Sequence, residues 1–348
     1  MKPIFIFLSL CVPFLIKAEI PANYYQTANG KSGQELKEAL YQIIKGHQAY
    51  SYTQVWDILK VTDRDPNNAN RVIGIHSGFS MLASDHSNND GWNREHVWAK
   101  SRGDFGTATG PGTDVHHLRA SDISTNGARG NKHFGESATR YIDNAGNYTG
   151  TTDCYSSDNT WEPRPEVKGD IARMMFYMAT RYEGEGGEPD LELVKDYKTI
   201  SNDSDPLHGN LDDLLAWHKA DPVDQRERDR NDAIYSYQKN RNPFIDHPQY
   251  AEYIWGSQSP KPGDATTSIN EKKKDVRIYP TPTTDSLYIK ASNTILSVSI
   301  HTPNGLQLRK ILQEGITQIN IADLPSGLYI LTMTDVSGKV HQQQIIKP

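Results

Sequence analysis

Over residues 32–44 the apolar positions Leu36, Leu40, Ile43 and Ile44 recur at helical spacing. Ser32 stands where an N-cap belongs, with Glu35 three residues on as in a capping box. Residues 52–59 continue in the same style, and Val72, Ile73 and Ile75 predict a short buried strand. From 77 to 113 the pattern gives way to Gly, Asn, Asp and Ser, which predicts loop with short strands. A loop of that length is uncommon in a compact domain and often carries function. Helical periodicity returns at 169–182, where Ile171, Met175, Met178, Ala179 and Tyr182 make one stripe. It returns again at 211–219 and at 224–238, the last charged on its outer face. Asn242-Pro243 is expected to stop the helical stretch, because the residue before proline avoids the α region.

Residues 257–274 hold almost no apolar side chain and read as a flexible linker. Beyond them, Leu287-Tyr288-Ile289 and the stretches 295–300, 316–321 and 328–333 are β-rich, separated by turn residues such as Pro303-Asn304-Gly305. That rhythm predicts a small β-sandwich over 275–348. At the other end, Lys2 precedes the apolar run from Ile4 to Ile16, and Ala18 offers a cleavage point. This is the layout of a secretory signal peptide over 1–18, too short for a comfortable membrane span. No stable membrane insertion is expected after processing; an uncleaved anchor is the alternative. The expected fold class is α+β: a helix-rich domain over 19–256, then the linker, then a small all-β sandwich.

The net charge of −6 weighs against a nucleic-acid binder when the chain is taken whole. Local charge runs the other way. Between 91 and 134, Arg94, Lys100, Arg102, Arg119, Arg129 and Lys132 outnumber Glu95, Asp104, Asp114 and Asp122, and His96, His116, His117 and His133 join them. A polyanion site needs that kind of local bias. Of the two cysteines, Cys11 lies in the signal-like run, so an exported chain keeps Cys154 alone and forms no internal disulfide. The absence of HExxH, GxSxG, a Walker loop and zinc-type cysteine spacing weakens protease, esterase, NTPase and zinc-finger readings.

The same block carries chemistry. Phosphodiester hydrolysis needs a base for water and a cation to offset charge on the phosphate and the leaving oxygen. Neutral imidazole is a good base near pH 7, and with an ordinary pKa it fails below roughly pH 6. Hard cations take oxygen ligands and keep several waters, so a carboxylate and an Asn carbonyl suffice. Glu95 and His96 supply ligand and base side by side. On a strand they point to opposite faces, so a bend is expected there. Arg129 offers a bidentate fork for the scissile or product phosphate, against the alternative of a structural salt bridge.

The segments Asn93-Arg94-Glu95-His96-Val97-Trp98, Asp114-Val115-His116-His117-Leu118 and Asn126 with Arg129 resemble the endonuclease I family of secreted nucleases, among the His-Me finger (ββα-metal) nucleases. The resemblance covers roughly 20–256. It implies two strands and a helix around one metal, with Glu95 and Asn126 as ligands and His96 as the base. It also implies Mg²⁺, with Mn²⁺ or Ca²⁺ as alternatives, and 5′-phosphate products. The expected activity is endonucleolytic hydrolysis of DNA, and of RNA too, with little sequence preference, since no base-reading module is recognisable. A non-catalytic nucleic-acid-binding or adhesion protein, and a phosphoesterase of another substrate, are the rivals. His116 and His117 look like a metal pair, but neighbours on a strand face apart. Asp170 with Arg173, and Asn240 to Phe244, match the family further on and read as structural. Ala99 and Ala120 stand where the family commonly has proline, which is expected to loosen loops beside the site, and Lys239 replaces a frequent glycine.

The tail resembles the type IX secretion system sorting domain, through Tyr279-Pro280-Thr281-Pro282, Leu324-Pro325-Ser326-Gly327-Leu328-Tyr329 and Lys347-Pro348. Thr281 stands where Asn is usual. The resemblance implies the secretion machinery as a partner and an extracellular or cell-surface location.

Overall fold

The computed structural model describes residues 20–86, 90–200, 202–257, 276–279, 285–291, 293–302 and 306–347. The signal-like start, nearly all of the linker, Pro280-Thr281-Pro282 and the Pro303-Asn304-Gly305 turn lie outside the described residues. The chain forms two compact units, divided between 265 and 266.

The first unit is α+β. It opens with α1 (Gly33–Ile44) and α2 (Val55–Thr62), then an antiparallel sheet of β1 (Arg64–Asp65), β2 (Asn68–Ile73) and β3 (Ser80–Leu82). A two-stranded antiparallel ribbon follows, β4 (Trp92–His96) against β5 (Leu118–Asp122), and runs directly into α3 (Ile123–Arg129). Next come β6 (His133–Phe134), β7 (Thr139–Asp143), β8 (Gly150–Ser156) and β9 (Thr160–Glu162), in the spatial order β6-β9-β8-β7. The unit closes with α4 (Lys168–Arg181), the short parallel pair β10 (Glu192–Leu193) and β11 (Leu207–His208), α5 (Leu211–Ala220), α6 (Gln225–Gln238), α7 (Pro243–Asp246) and α8 (Tyr250–Ile254). Among the described residues no helix is long and apolar enough to cross a membrane.

Two apolar clusters hold this unit. In one, Leu36, Leu40 and Ile44 of α1 join Met175, Phe176 and Met178 of α4, which is buried on every face from Ile171 to Arg181. In the other, Val55, Ile58 and Leu59 of α2 and Ile234 of α6 pack against Trp92, Leu118 and Ala120. The β4–β5 ribbon therefore rests on a rigid apolar floor, which fixes the side chains on its remaining positions.

Buried charges tie the helices together. The Arg173 guanidinium meets Glu227 at 2.6 and 2.5 Å, joining α4 to α6, while Asp170 lies a looser 3.6 Å from Arg173. Asp63, at the end of α2, takes Arg119 at 2.6 Å, Arg230 at 3.2 Å and the Ala120 amide at 3.1 Å. Burial would raise the Asp63 pKa; the two guanidinium groups outweigh it and hold it below the usual carboxylate value.

Local chemistry departs from expectation in three places. Ser32 is the N-cap of α1, but its hydroxyl makes no capping bond, and the Glu35 side chain pairs with Lys31 instead of closing a box. The reciprocal capping box belongs to α6 instead, between Asp224 and Glu227. Asn242-Pro243 starts a helix rather than ending the helical stretch: the Asn242 side chain accepts from the Phe244 amide at 3.0 Å, and proline is at home in a first turn. Ala120 does not loosen a loop. It sits within β5, and its N–H bonds Asp63, which proline could not do.

Lys239 caps α6 in the left-handed region at φ 65°, which explains why glycine suits this position. Lys239→Gly is expected to raise stability by about 1 kcal/mol, measured as a rise of roughly 2–4 °C in the thermal midpoint. A lowered midpoint would contradict the strain argument.

The second unit is all β. Its strands are β12 (Val276–Tyr279), β13 (Ser286–Ala291), β14 (Ile295–His301), β15 (Gln307–Leu312), β16 (Gln318–Asn320), β17 (Gly327–Asp335) and β18 (Val340–Lys347). They form two antiparallel sheets, β12-β13-β16 and β15-β14-β17-β18, around Leu287, Ile289, Val298, Ile300, Ile319, Leu331, Met333 and Ile345. The motif at 324–329 and Lys347 meet: the Lys347 ammonium donates to the carbonyls of Ile321, Ala322 and Leu324, and the Tyr329 hydroxyl to Pro325 O.

Candidate active site

The strand β4 alternates. Trp92, Arg94 and His96 meet Tyr52 and Trp56, while Asn93 and Glu95 meet α3 and the segment around His76. Glu95 and His96 thus do lie on opposite faces. No bend between them is needed to unite them: among the described residues β4 ladders with β5 alone, apart from one bridge from Trp92 to His86, and residues of both faces line one cleft of about 710 Å³. That cleft brings together Glu95, His96, Asn126 and Arg129, with Tyr52, Asn93, Arg94, Lys100 and Asn131 around them. The chain bends just after His96, at Val97 and Trp98.

His96 is 5% exposed, and its Nε2 lies 3.0 Å from Gly112 O. A carbonyl only accepts, so Nε2 carries the proton and Nδ1 keeps its lone pair. Burial, then the neighbouring His117, hold the His96 pKa well below its usual value, which keeps the ring neutral. Gly112 must be glycine: a Cβ there would lie 2.5 Å from Ala108 O and 2.8 Å from the Thr107 carbonyl carbon. Gly112→Ala is expected to displace the carbonyl that aims His96 and to lower kcat on the order of 10²-fold, with the fold retained by circular dichroism. Parental kcat in that variant would remove Gly112 from the account.

Glu95 is 2% exposed. Its Oε1 takes His76 Nε2 at 2.8 Å and Arg129 Nη1 at 3.2 Å, which leaves Oε2 with no protein partner among the described residues. Asn126 donates through Nδ2 to Asn93 Oδ1 at 2.6 Å, which leaves its own Oδ1 without a protein partner among the described residues. Asn126 reaches the cleft because Asp122 both ends β5 and caps α3, accepting from the Thr125 amide at 3.0 Å, so no loop intervenes. A carboxylate oxygen and an amide oxygen, each with its other atom fixed by the protein, are a donor set suited to a hard divalent cation.

The two remaining motif histidines are committed elsewhere. Both precede β5 rather than lying on it. His117 Nε2 meets Pro111 O at 2.7 Å while its Nδ1 accepts from the Trp98 amide at 3.3 Å. His116 Nε2 meets Asn240 O at 3.3 Å. Burial pushes both down to about 4. Asp114 is a structural hub, accepting from Tyr177 at 2.8 Å, Tyr182 at 2.9 Å and Gln238 at 3.0 Å.

Sequence reasoning offered the Arg129 fork to a phosphate. The structure gives it to the protein: Nη1 donates to His96 O at 2.9 Å and Nη2 to Val97 O at 2.5 Å, beside the contact with Glu95. Arg129 is 1% exposed, and Nε, its one N–H group without a partner, is buried too. These bonds hold the bend after His96. His76, Gly112 and Asn93 were missed. Only Asn93 left a signal, two positions before Glu95 and so on the same face of β4. A separate acidic group, Glu183, Asp190 and Glu192, is close enough to hold an ion. Lys37 already answers its charge, 2.7 Å from Glu183 and 2.6 Å from Glu192.

Residues 32–249 match the family described as Endonuclease I. The chain belongs to the endonuclease I family. Residues 277–347 match the secretion system C-terminal sorting domain. The chain is 54% identical over 250 residues to a protein named extracellular ribonuclease from Bacillus subtilis (strain 168), covering 71% of this chain and 83% of the relative. It is 56% identical over 235 residues to an extracellular ribonuclease of Bacillus amyloliquefaciens, covering 67% and 78%. This endonuclease I family member is a secreted nuclease that carries a C-terminal secretion sorting domain.

Proposed function

We propose that the protein is a metal-dependent endonuclease that hydrolyses phosphodiester bonds of RNA and DNA with little sequence preference. One observation carries the reading: the unclaimed oxygens of Glu95 and Asn126 line the same cleft as His96, a neutral histidine whose Nδ1 keeps its lone pair. Glu95 and Asn126 would hold Mg²⁺, or Mn²⁺ or Ca²⁺ in its stead, and the ion would supply positive charge against the phosphate and the departing oxygen. His96 Nδ1 takes a proton from water as its oxygen bonds to phosphorus. The P–O3′ bond breaks, the 3′-oxygen gains a proton from solvent, and the phosphate stays on the 5′ side. Gly112 O holds the imidazole in the tautomer that does this, and His76 and Asn93 fix the two ligand side chains. Arg129 acts as a clamp on the backbone of His96 and Val97.

RNA is named as a substrate because two relatives above 50% identity are called ribonucleases. Little sequence preference is expected because no base-reading module is recognisable. We propose further that 1–18 is removed on export, that 257–274 is a linker, and that 19–256 carries the activity. The test uses labelled RNA and DNA with the full chain and with residues 19–257, in Mg²⁺ and in EDTA. Internal cuts in both polymers, new 5′-phosphate ends and loss of cleavage in EDTA are expected of both proteins. Cleavage that persists in EDTA, or 2′,3′-cyclic ends on RNA, would contradict the chemistry.

A further inference from the structure

Three cations line the cleft: Arg94, Lys100 and Arg129. Arg129 is engaged by carbonyls and Glu95, and Lys100 is exposed. Arg94 is held differently. Its guanidinium carbon lies 3.4 Å from the centroid of the Tyr52 ring and 4.0 Å from that of Trp56. Nη1 donates to Tyr52 O, the buried Nε has no hydrogen-bond partner, and no carboxylate comes within ion-pair distance among the described residues. The Tyr52 ring that carries Arg94 also stacks on His96, with centroids 5.7 Å apart and planes at 28°.

A guanidinium stacked on aromatic rings, fixed by one backbone bond and left without an acid is a positive charge kept for an anion from outside. We propose that Arg94, held by Tyr52 and Trp56, is the phosphate-binding residue of this cleft. It takes a non-bridging oxygen of the phosphate next to the one His96 serves. Arg94 and His96 stand two residues apart on one strand face, about 7 Å by the rise of a strand, so Arg94 reaches a neighbouring phosphate and not the reacting one. The arrangement accounts for substrate binding in a chain of net charge −6: the cation is local and preorganised. This inference rests on the nuclease reading, and its readout is separable from cleavage.

The test measures binding of fluorescein-labelled single-stranded DNA to the full chain in EDTA, by anisotropy across a salt series. Arg94→Gln is expected to weaken binding by about 10–100-fold, the effect of losing one charge-assisted hydrogen bond. It should also lower the slope of log affinity against log salt by about 0.7, one phosphate contact on a single strand. Arg94→Lys keeps the charge and loses the fork, so it should restore the slope while binding more weakly than the parent. If Arg94 only braces the Tyr52 segment, both variants lose thermal stability and both keep the parental slope; that result overturns the proposal. So does Arg94→Gln with unchanged affinity. Cleavage in Mg²⁺, followed in parallel, reports on the nuclease reading alone: an inactive parent whose salt slope still depends on Arg94 strikes at the chemistry and leaves the phosphate site standing.

Discussion

His96→Ala is expected to lower kcat by about 10²–10⁴-fold, the usual share of a positioned general base, with little change in thermal midpoint. The variant loses one imidazole whose contacts are a carbonyl and neighbouring rings, and no buried charge is left behind. The pH dependence of the parent follows from the same surroundings. A base works in its neutral form, and burial followed by His117 lowers the His96 pKa. Neutral imidazole therefore persists further into acid than an exposed histidine allows. The parent's acid limb is expected below pH 6.5, not at it, when kcat/KM is followed from pH 5 to 8. A His96→Ala protein within fivefold of the parent would remove this residue from the reaction.

Arg129→Ala is expected to cost about 3–5 kcal/mol, because it leaves Glu95 buried without its cationic partner and His96 O and Val97 O without a donor. For a domain of this size the thermal midpoint should fall by roughly 10 °C. Cleavage should fall with it, since the bend after His96 is no longer pinned. Arg129→Lys keeps the charge but reaches fewer acceptors and should recover only part of the midpoint. The contrasting outcome is a parental midpoint with impaired substrate binding, which would return Arg129 to the phosphate-holding role its sequence position first offered.

Much of the site was legible because it is local. Glu95 and His96 are adjacent, and Asn126 and Arg129 sit one turn apart on the helix that begins where β5 ends. The motif thus carries both the residue types and their placement. What stayed hidden acts through partners that leave no local trace. The Gly112 carbonyl is a backbone group, His76 lies nineteen residues from Glu95 in a segment with no periodicity of its own, and the state of the Arg129 fork depends on where two carbonyls turn. The opposite faces of Glu95 and His96 were foreseen; that one cleft, not a bend between them, unites the two faces was not.

The fold divides in the same way. Helices α1, α4, α5 and α6 carry apolar stripes or caps and were expected within a few residues. The sheet from β6 to β9 escaped notice. Its strands are short, β7 is largely exposed, and its pairing with β8 shifts register between Arg140 and Ile142. No period of two survives such a shift. In the sandwich, β15 and β18 were missed because they are edge strands with mostly exposed side chains, whose apolar residues follow no clear alternation.

The central claim is that Glu95 and Asn126 serve a metal while His96 serves water, and a Mg²⁺ titration of plasmid and RNA cleavage tests it most directly. Parent, Glu95→Gln, Asn126→Ala and His96→Ala are compared from EDTA to high Mg²⁺. Glu95→Gln and Asn126→Ala are expected to need more Mg²⁺ and to recover part of their activity as it rises, whereas His96→Ala should not recover at any concentration, since added metal cannot replace a missing base. Recovery of His96→Ala by metal, or Glu95→Gln as active as the parent at low Mg²⁺, would contradict it.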